Sequence, residues 1–343
     1  MMNSLLRVLA AAALIACSTV SADEVALNPD HPERYTVVEG DTLWDISARF
    51  LKDPWLWPKV WKRNAQIKNP HLIYPGDVVV LAIDENGAPE IKVLRSERRT
   101  VKLSPTIYTS PIDGAIPTIP PNAILPYLSR PLVIEDGTLK SAGYVAVGLD
   151  DKLVLGKHSE FYARALARSD SGSYEVFRPG EALIDPDTKE PLGQEAIYLG
   201  RARMVTPGDP AKLLVTESKR EIIPGDRMLP SPDDLPLPYY QPHAPDATVR
   251  GRILTVLDGV QEFGPGAVVA ISLGERNGVE HGHVLRIKRS AGTRRDPVTG
   301  KDYELPEEAA GLLMVFRTFD KVSYGLVMTA SRPINVLDVV QTP

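Results

Sequence analysis

The sequence predicts an α+β, mainly β protein: a βααβ unit near the amino end, then β-rich domains of the small barrel or sandwich type. Three observations carry this. All four tryptophans, Trp44, Trp55, Trp57 and Trp61, fall within 18 consecutive residues of a 343-residue chain. Proline makes up about 9% of the chain (31 of 343 residues), against a usual ~5%, which disfavours long helices and favours short strands joined by turns. Beyond residue 90 the apolar residues run in short alternating stretches, such as Tyr144-Val-Ala-Val-Gly-Leu and Ala267-Val-Val-Ala-Ile-Ser, the pattern of half-buried strands.

Residues 1–22 read as an export signal. One cation, Arg7, precedes an apolar run from Val8 to Ala16, and small residues end at Ala22; the run is too short to span a bilayer. Within it, Leu14-Ile15-Ala16-Cys17 resembles a bacterial lipobox, so the sequence leaves two readings open: cleavage after Ala22, or acylation of Cys17 as the first mature residue. Either reading makes the mature protein an exported, periplasmic one, and the second makes it an outer-membrane lipoprotein. Cys17 is the only cysteine, so no internal disulfide forms and a cysteine-nucleophile transpeptidase is excluded.

The compact unit spans 35–81. Tyr35-Thr-Val-Val-Glu39 alternates into Gly40, a strand entering a tight turn. In Thr42-Leu-Trp-Asp45 the Thr42 hydroxyl is placed to accept from the amide of Asp45 while that carboxylate reaches back, a capping box that starts a helix. Leu43, Ile46 and Phe50 then share one face. A second helix is expected from about Pro58 to Asn64, because Pro54 and Pro58 are tolerated only near a helix start. Tyr74-Pro75-Gly76-Asp77 places Pro and Gly at the centre of a type II turn, and Val78-Val-Val-Leu81 returns as a strand. So small a unit has little core, and large aromatics at ~150 to 250 Å² each compensate for it.

Downstream, 82–90 reads as a linker, 91–230 as a β-rich middle domain, 231–246 as a proline-rich, extended linker, and 247–343 as a β-rich C-terminal domain. The two later domains echo each other. Asp185-Pro-Asp-Thr188 and Asp296-Pro-Val-Thr299 are each followed by a second aspartate, Asp226 and Asp338, after 41 and 42 residues. The sequence leaves two readings open: one β module duplicated, or chance recurrence of D-P-x-T, which is ordinary turn chemistry.

The formal charge is −5, or −6 once residues 1–22 and their single cation are removed. An acidic chain without a basic cluster is no candidate for nucleic-acid binding.

Gly40-Asp41-Thr42-Leu43, Ile46, Asn64 and Tyr74-Pro75-Gly76-Asp77 together resemble a LysM domain, the small βααβ module that binds N-acetylglucosamine-containing glycans. The resemblance implies a shallow groove with Gly40, Asp41, Thr42 and Leu43 on one side and Leu72, Ile73, Tyr74 and Pro75 on the other. Main-chain groups there would meet the sugar's acetamido and hydroxyl groups. One departure is the aromatic, proline-rich segment Lys52-Asp-Pro-Trp-Leu-Trp-Pro58 between the helices. The order signal, LysM, long β-rich region resembles the type IV pilus secretin-associated family (TsaP), whose C-terminal region is similar to the flagellar assembly protein FlgT. This implies a non-enzymatic tether with two partners, peptidoglycan and an outer-membrane secretin or other envelope protein.

A competing resemblance comes from His281-Gly-His283, which is similar to the His-x-His arm of LytM-type zinc endopeptidases acting on peptidoglycan. That family takes another ligand from an upstream His-x-x-x-Asp. Here only His31, His71, His158 and His243 are available, and His243 precedes Asp246 at the wrong spacing. The histidines are therefore expected to serve a glycine-rich turn, with no catalytic residue, metal or cofactor. A flagellar-type assembly factor with a different protein partner is a further alternative.

Overall fold

The structure, a computed structural model, describes residues 25–61, 73–83, 89–94, 117–128, 132–134, 141–231, 240–257, 262–289 and 292–343. The chain forms two compact units, 1–116 and 117–343. The readings on residues 1–24, on Asn64 and Leu72, and on 84–88 and 232–239 lie outside the described residues.

In the first unit β1 (Arg34–Thr36) leads to helix α1 (Leu43–Phe50), a 3-10 turn (Pro54–Leu56) and helix α2 (Trp57–Trp61), then to β2 (Val78–Ile83) and β3 (Pro89–Leu94). The expected capping box starts α1: the amide of Asp45 donates to Thr42 Oγ1 at 3.1 Å, and the Thr42 amide donates back to Asp45 Oδ2 at 3.3 Å. Both orphan donors are thereby satisfied, which fixes where the helix begins. Helix α1 turns Leu43, Trp44, Ile46 and Phe50 inward. They meet Val37, Trp57, Val60, Ile73, Val79 and Ile91 in one core, Trp44 being buried at its side.

The sheet has three strands in the order β1-β2-β3, all antiparallel, with Tyr35 opposite Val79 and Leu81 opposite Ile91. The expected unit ended at residue 81, with 82–90 as a linker; in the structure the sheet continues through β3. Two strands offer this core too little cover, and the buried Ile91, with Val93 packed beside it, supplies the missing wall.

The second unit begins with helix α3 (Pro121–Leu128) and β4 (Val133–Ile134). Strands β5 (Gly143–Gly148), β6 (Glu160–Arg164), β7 (Ser173–Ile184), β8 (Pro191–Thr206), β9 (Ala211–Ser218) and β10 (Arg227–Pro230) follow. They run β4-β8-β7-β10-β5-β6-β9, and β9 pairs again with β8, so six strands close into a ring with β4 added outside.

A second barrel contains β11 (Arg250–Leu257), β13 (Val268–Ile271), β14 (Val284–Arg289), β17 (Glu308–Thr318), β18 (Ser323–Ala330) and β20 (Val339–Gln341). Two short pairs accompany it: β12 (Glu262–Phe263) with β19 (Ile334–Asn335), and β15 (Thr293–Arg295) with β16 (Asp302–Glu304). Its order is β11-β13-β18-β17-β14-β20, closed.

Numbered within each barrel, both rings read first, second, fifth, fourth, third, sixth. The likeness extends to single atoms. A Cβ on Gly200 of β8 would lie 2.1 Å from the Glu217 carbonyl oxygen, and one on Gly311 of β17 would lie 2.1 Å from that of Thr329. In each barrel only glycine lets the fourth strand approach the fifth so closely. The sequence echo thus marks two copies of one barrel topology.

Each barrel closes over its own core. Val145, Phe161, Val176, Leu199 and Leu213 fill the first, and Ile253, Ile271, Leu285, Leu313 and Val327 the second. Closure matters because it leaves no long unpaired edge. The two barrels are joined by the tip of the β7–β8 hairpin, where Asp187 meets Arg252 at 3.0 Å and Glu190 meets Arg276 and Lys321. Tyr324 also donates to the carbonyl of Leu132 at 3.0 Å.

The carboxyl part of the proline-rich segment lies on the second barrel. Tyr240 is buried and its hydroxyl donates to the Phe316 carbonyl at 3.0 Å, while Pro242 and Pro245 are buried too. Burying the Tyr240 ring outweighs the extended solvation expected of such a sequence.

Candidate functional site

The candidate glycan site rests on two turns in the first unit. In the first, Asp41 folds back on its own loop: its Oδ2 accepts from the Val38 amide at 2.9 Å and from the Tyr35 hydroxyl at 3.0 Å. Arg49 covers the Tyr35 ring at 4.3 Å. Burial and then the Asp41 carboxylate raise the Tyr35 pKa above its ordinary value, so the phenol keeps the proton it donates. Gly40, at φ +92° and fully open, makes the turn possible.

In the second turn Asp77 accepts the Tyr74 amide at 3.1 Å, with Gly76 at φ +95°. Val37 stitches the two together, its amide donating to Asp77 O at 2.9 Å and its carbonyl accepting from Gly76 at 2.8 Å. The expected walls Gly40–Leu43 and Ile73–Pro75 are therefore carried on loops tied through one residue.

Their side chains divide into two roles. Leu43 and Ile73 are 2% and 0% exposed and belong to the core. Thr42, 3% exposed, is committed to the helix cap. Gly40 is exposed, while Asp41, Tyr74 and Pro75 are half-buried. What this arrangement can offer a ligand is main chain from the glycine turn and the surfaces of Tyr74 and Pro75. The one cation beside it, Arg49, is spent on the Tyr35 ring, so the groups on offer are those of a hydrogen-bonding site that suits a neutral ligand such as a sugar.

The tryptophans fill space. Trp44, Trp55 and Trp57 are 2%, 6% and 1% exposed, so none of the three offers a ring face on which a sugar could stack.

The turn at Asp77 occurs again in both barrels. Ile223 donates to Asp226 Oδ2 at 2.8 Å, and Asn335 donates to Asp338 Oδ2 at 2.9 Å. In each case the aspartate carbonyl accepts from the first strand of its barrel, from Val145 and Ile253. A further instance replaces the carboxylate by an imidazole: the Glu280 amide donates to His283 Nδ1 at 3.0 Å, with Gly282 at φ +90°. Sequence reasoning treats His281-Gly-His283 as a glycine-rich turn, and this is the chemistry of that turn.

His243 pairs with His283 as an isolated parallel bridge, with ring centroids 4.6 Å apart. His243, Glu280 and His283 bring one ligand atom each within 4.8 Å of one another, a proximity that sequence spacing did not reveal. His281 is not among them. The donor set fits a metal poorly. Because His283 Nδ1 is an acceptor, the ring hydrogen sits on Nε2, which leaves that atom no lone pair for an ion.

Residues 35–82 match the LysM domain family. The uncharacterized protein YqbP of Bacillus subtilis (strain 168) is 42% identical over 55 residues, an alignment covering 13% of this chain and 25% of that protein. The chain thus spans about a quarter of the length of the curated relative it matches. The paired aspartate turns, the capped helix and the family match agree: residues 35–82 of this chain are a LysM domain.

Proposed function

We propose that this chain is a non-enzymatic tether, which holds peptidoglycan through its LysM domain and an envelope machine through its two barrels. The observation that carries the glycan half is the joining of two aspartate-tied turns through Val37, in a domain of a glycan-binding family. In this reading main-chain groups of Gly40–Leu43 hydrogen-bond the acetamido and hydroxyl groups of N-acetylglucosamine, and Leu72–Pro75 form the opposite wall. A wall pre-formed by glycine and proline loses little entropy when the sugar arrives.

The barrel half takes an outer-membrane secretin of a type IV pilus as its partner, on the resemblance to the TsaP family. No helix of the described residues is long and apolar enough to cross a membrane; in this reading the export signal expected from the sequence directs the mature chain to the periplasm. A single weak glycan site gains from many copies around one assembly, because each further contact is effectively intramolecular.

Two experiments test this. Sacculi incubated with the full chain should retain it, and removing 35–94 should abolish retention. A secretin should co-purify with the chain from solubilised outer membranes; a flagellar component in its place would redirect the barrel half alone. The alternative of a LytM-like endopeptidase predicts muropeptide release that a chelator stops, and the His283 tautomer argues against it.

A further inference from the structure

The duplicated barrel exposes a docking arm that has no seat among the described residues of the second unit. In both barrels the hairpin between the third and fourth strands ends in the same aspartate turn. Asp185 Oδ1 accepts from the amides of Asp187 and Thr188 at 2.8 and 3.0 Å; Asp296 Oδ1 accepts from Val298 and Thr299 at 2.8 and 3.1 Å. The closing bonds also agree, Asp185 to Glu190 O at 2.9 Å and Asp296 to Lys301 O at 2.8 Å. Asp187 therefore corresponds to Val298, and Glu190 to Lys301.

The first tip is seated on the second barrel, where Asp187 meets Arg252 and Glu190 meets Arg276 and Lys321. The second tip, between β15 and β16, stands in solvent. Val298 is 91% exposed, and Lys301 has no carboxylate partner among the described residues.

The surface equivalent to that seat, on the first barrel, carries the opposite chemistry. Gly143 and Gly251 occupy one position, since a Cβ on either would strike the leucine after the second strand, Leu166 at 2.7 Å or Leu273 at 2.6 Å. Tyr144 thus stands where the second barrel has Arg252. The turn between the fourth and fifth strands holds Asp209 in the first barrel and Lys321 in the second. The connection between the second and third strands holds Asp170 in the first and Arg276 in the second.

At two of the three seat positions the charge is reversed, and the third pair becomes apolar. A seat of Arg252, Arg276 and Lys321 receives Asp187 and Glu190; a seat of Tyr144, Asp170 and Asp209 would receive Val298 and Lys301. The side chains of Asp170 and Asp209 are 80% and 57% exposed, and their present pairs with Arg168 and Arg164, 3.3 Å each, are open to solvent. Such pairs are worth little and exchange readily.

We propose that the β15–β16 arm of one copy docks on the first barrel of a second copy, repeating between molecules the contact that joins the barrels within one. Arm and seat are different surfaces, so the contact is heterologous, and successive copies build an open chain or a closed ring. Lys301 meets Asp170 and Asp209 in that contact, and Val298 meets the Tyr144 ring beside Arg227, whose guanidinium lies 5.8 Å from the ring centroid.

Sedimentation velocity of the full chain over a concentration series tests this. At about 0.05 M salt the chain should form dimers and larger species, and at about 0.5 M their dissociation constant should rise at least ~10-fold, because the paired charges are screened. Lys301→Glu and, independently, Val298→Asp should leave monomers. Mixing Lys301→Glu with the Asp170→Lys/Asp209→Lys chain should restore association between the two variants. A chain that stays monomeric at low salt, or association that Lys301→Glu leaves unchanged, overturns the proposal. Sacculus retention by monomeric Lys301→Glu would show that the glycan reading stands apart from this one.

Discussion

Glu190 and Arg276 lie 86 residues apart in sequence and meet through two parallel hydrogen bonds, Nη1 to Oε1 at 2.6 Å and Nη2 to Oε2 at 2.8 Å. Lys321 approaches the same carboxylate at 3.2 Å. The Arg276 bonds, then Lys321, hold the Glu190 pKa down at about 2. A carboxylate with a lowered pKa contributes fully above its ordinary value and loses that contribution as pH falls through the lowered one. The seam between the barrels should therefore hold across neutral and mildly acid conditions and loosen only towards pH ~2. Because the pair is open to solvent, Glu190→Gln should lower the melting temperature by about 2 °C or less. Its clearer effect should be faster protease cleavage between the barrels.

Ile91, fully buried in the LysM core, belongs to the third strand. Ile91→Ala should destabilise the domain by about 2 to 5 kcal/mol, the usual cost of emptying such a site. All four tryptophans lie in this domain, so urea unfolding followed by tryptophan fluorescence reads it separately from the barrels. A fragment ending at residue 83 should fail to fold on the same measure.

Asp77 holds the Tyr74 amide, and Asp41 the Val38 amide. Asp77→Ala strands a donor beside a 7% exposed position and should cost about 1 to 3 kcal/mol. Sacculus binding should fall with it, since the proposed glycan groove takes this turn as one wall. Thr42→Ala removes the helix cap and should cost about 1 kcal/mol. Asp77→Asn, which keeps an acceptor oxygen, should retain most of the binding in a co-sedimentation assay.

His283 offers the barrel a titrating version of a turn that elsewhere uses aspartate. Burial lowers its pKa first, then the charge of His243, with Glu280 and Asp246 opposing. Lowered in the folded state, it supplies stability above its ordinary value of ~6.5 that is lost as pH falls through the lowered one. Protonation would set a donor at Nδ1 against the Glu280 amide. Hydrogen exchange at Glu280, corrected for intrinsic pH dependence, should accelerate in mild acid. His283→Asp, which converts the turn to the form at Asp226 and Asp338, should remove that response.

Much of the LysM domain was legible because its signals are short-range. The Thr42–Asp45 cap and the Tyr74–Asp77 turn each close within four residues, and side-chain chemistry dictates them. That β3 adds a third strand to this sheet was not legible, because Ile91 counts as core only once β3 is paired with β2. Leu43 and Ile73, expected to line a groove, lie beside their turns with both side chains turned inward, which burial alone reveals. Likewise the histidine motif read as a turn, while the fit of His243 against it depended on the folded path of residues 240–249.

The sequence by itself determined the local units: a capped helix, aspartate turns, alternating strands, and an Asp-Pro-x-Thr hairpin used twice. It determined them because an i to i+3 hydrogen bond needs no distant partner. Only the tertiary structure decided that each set of six strands closes in the same order, that one hairpin is seated while its twin has no seat among the described residues, and that Glu190 finds Arg276. Those choices turn on which faces remain to be buried or paired after the local units have formed, and that is a property of the whole chain in space.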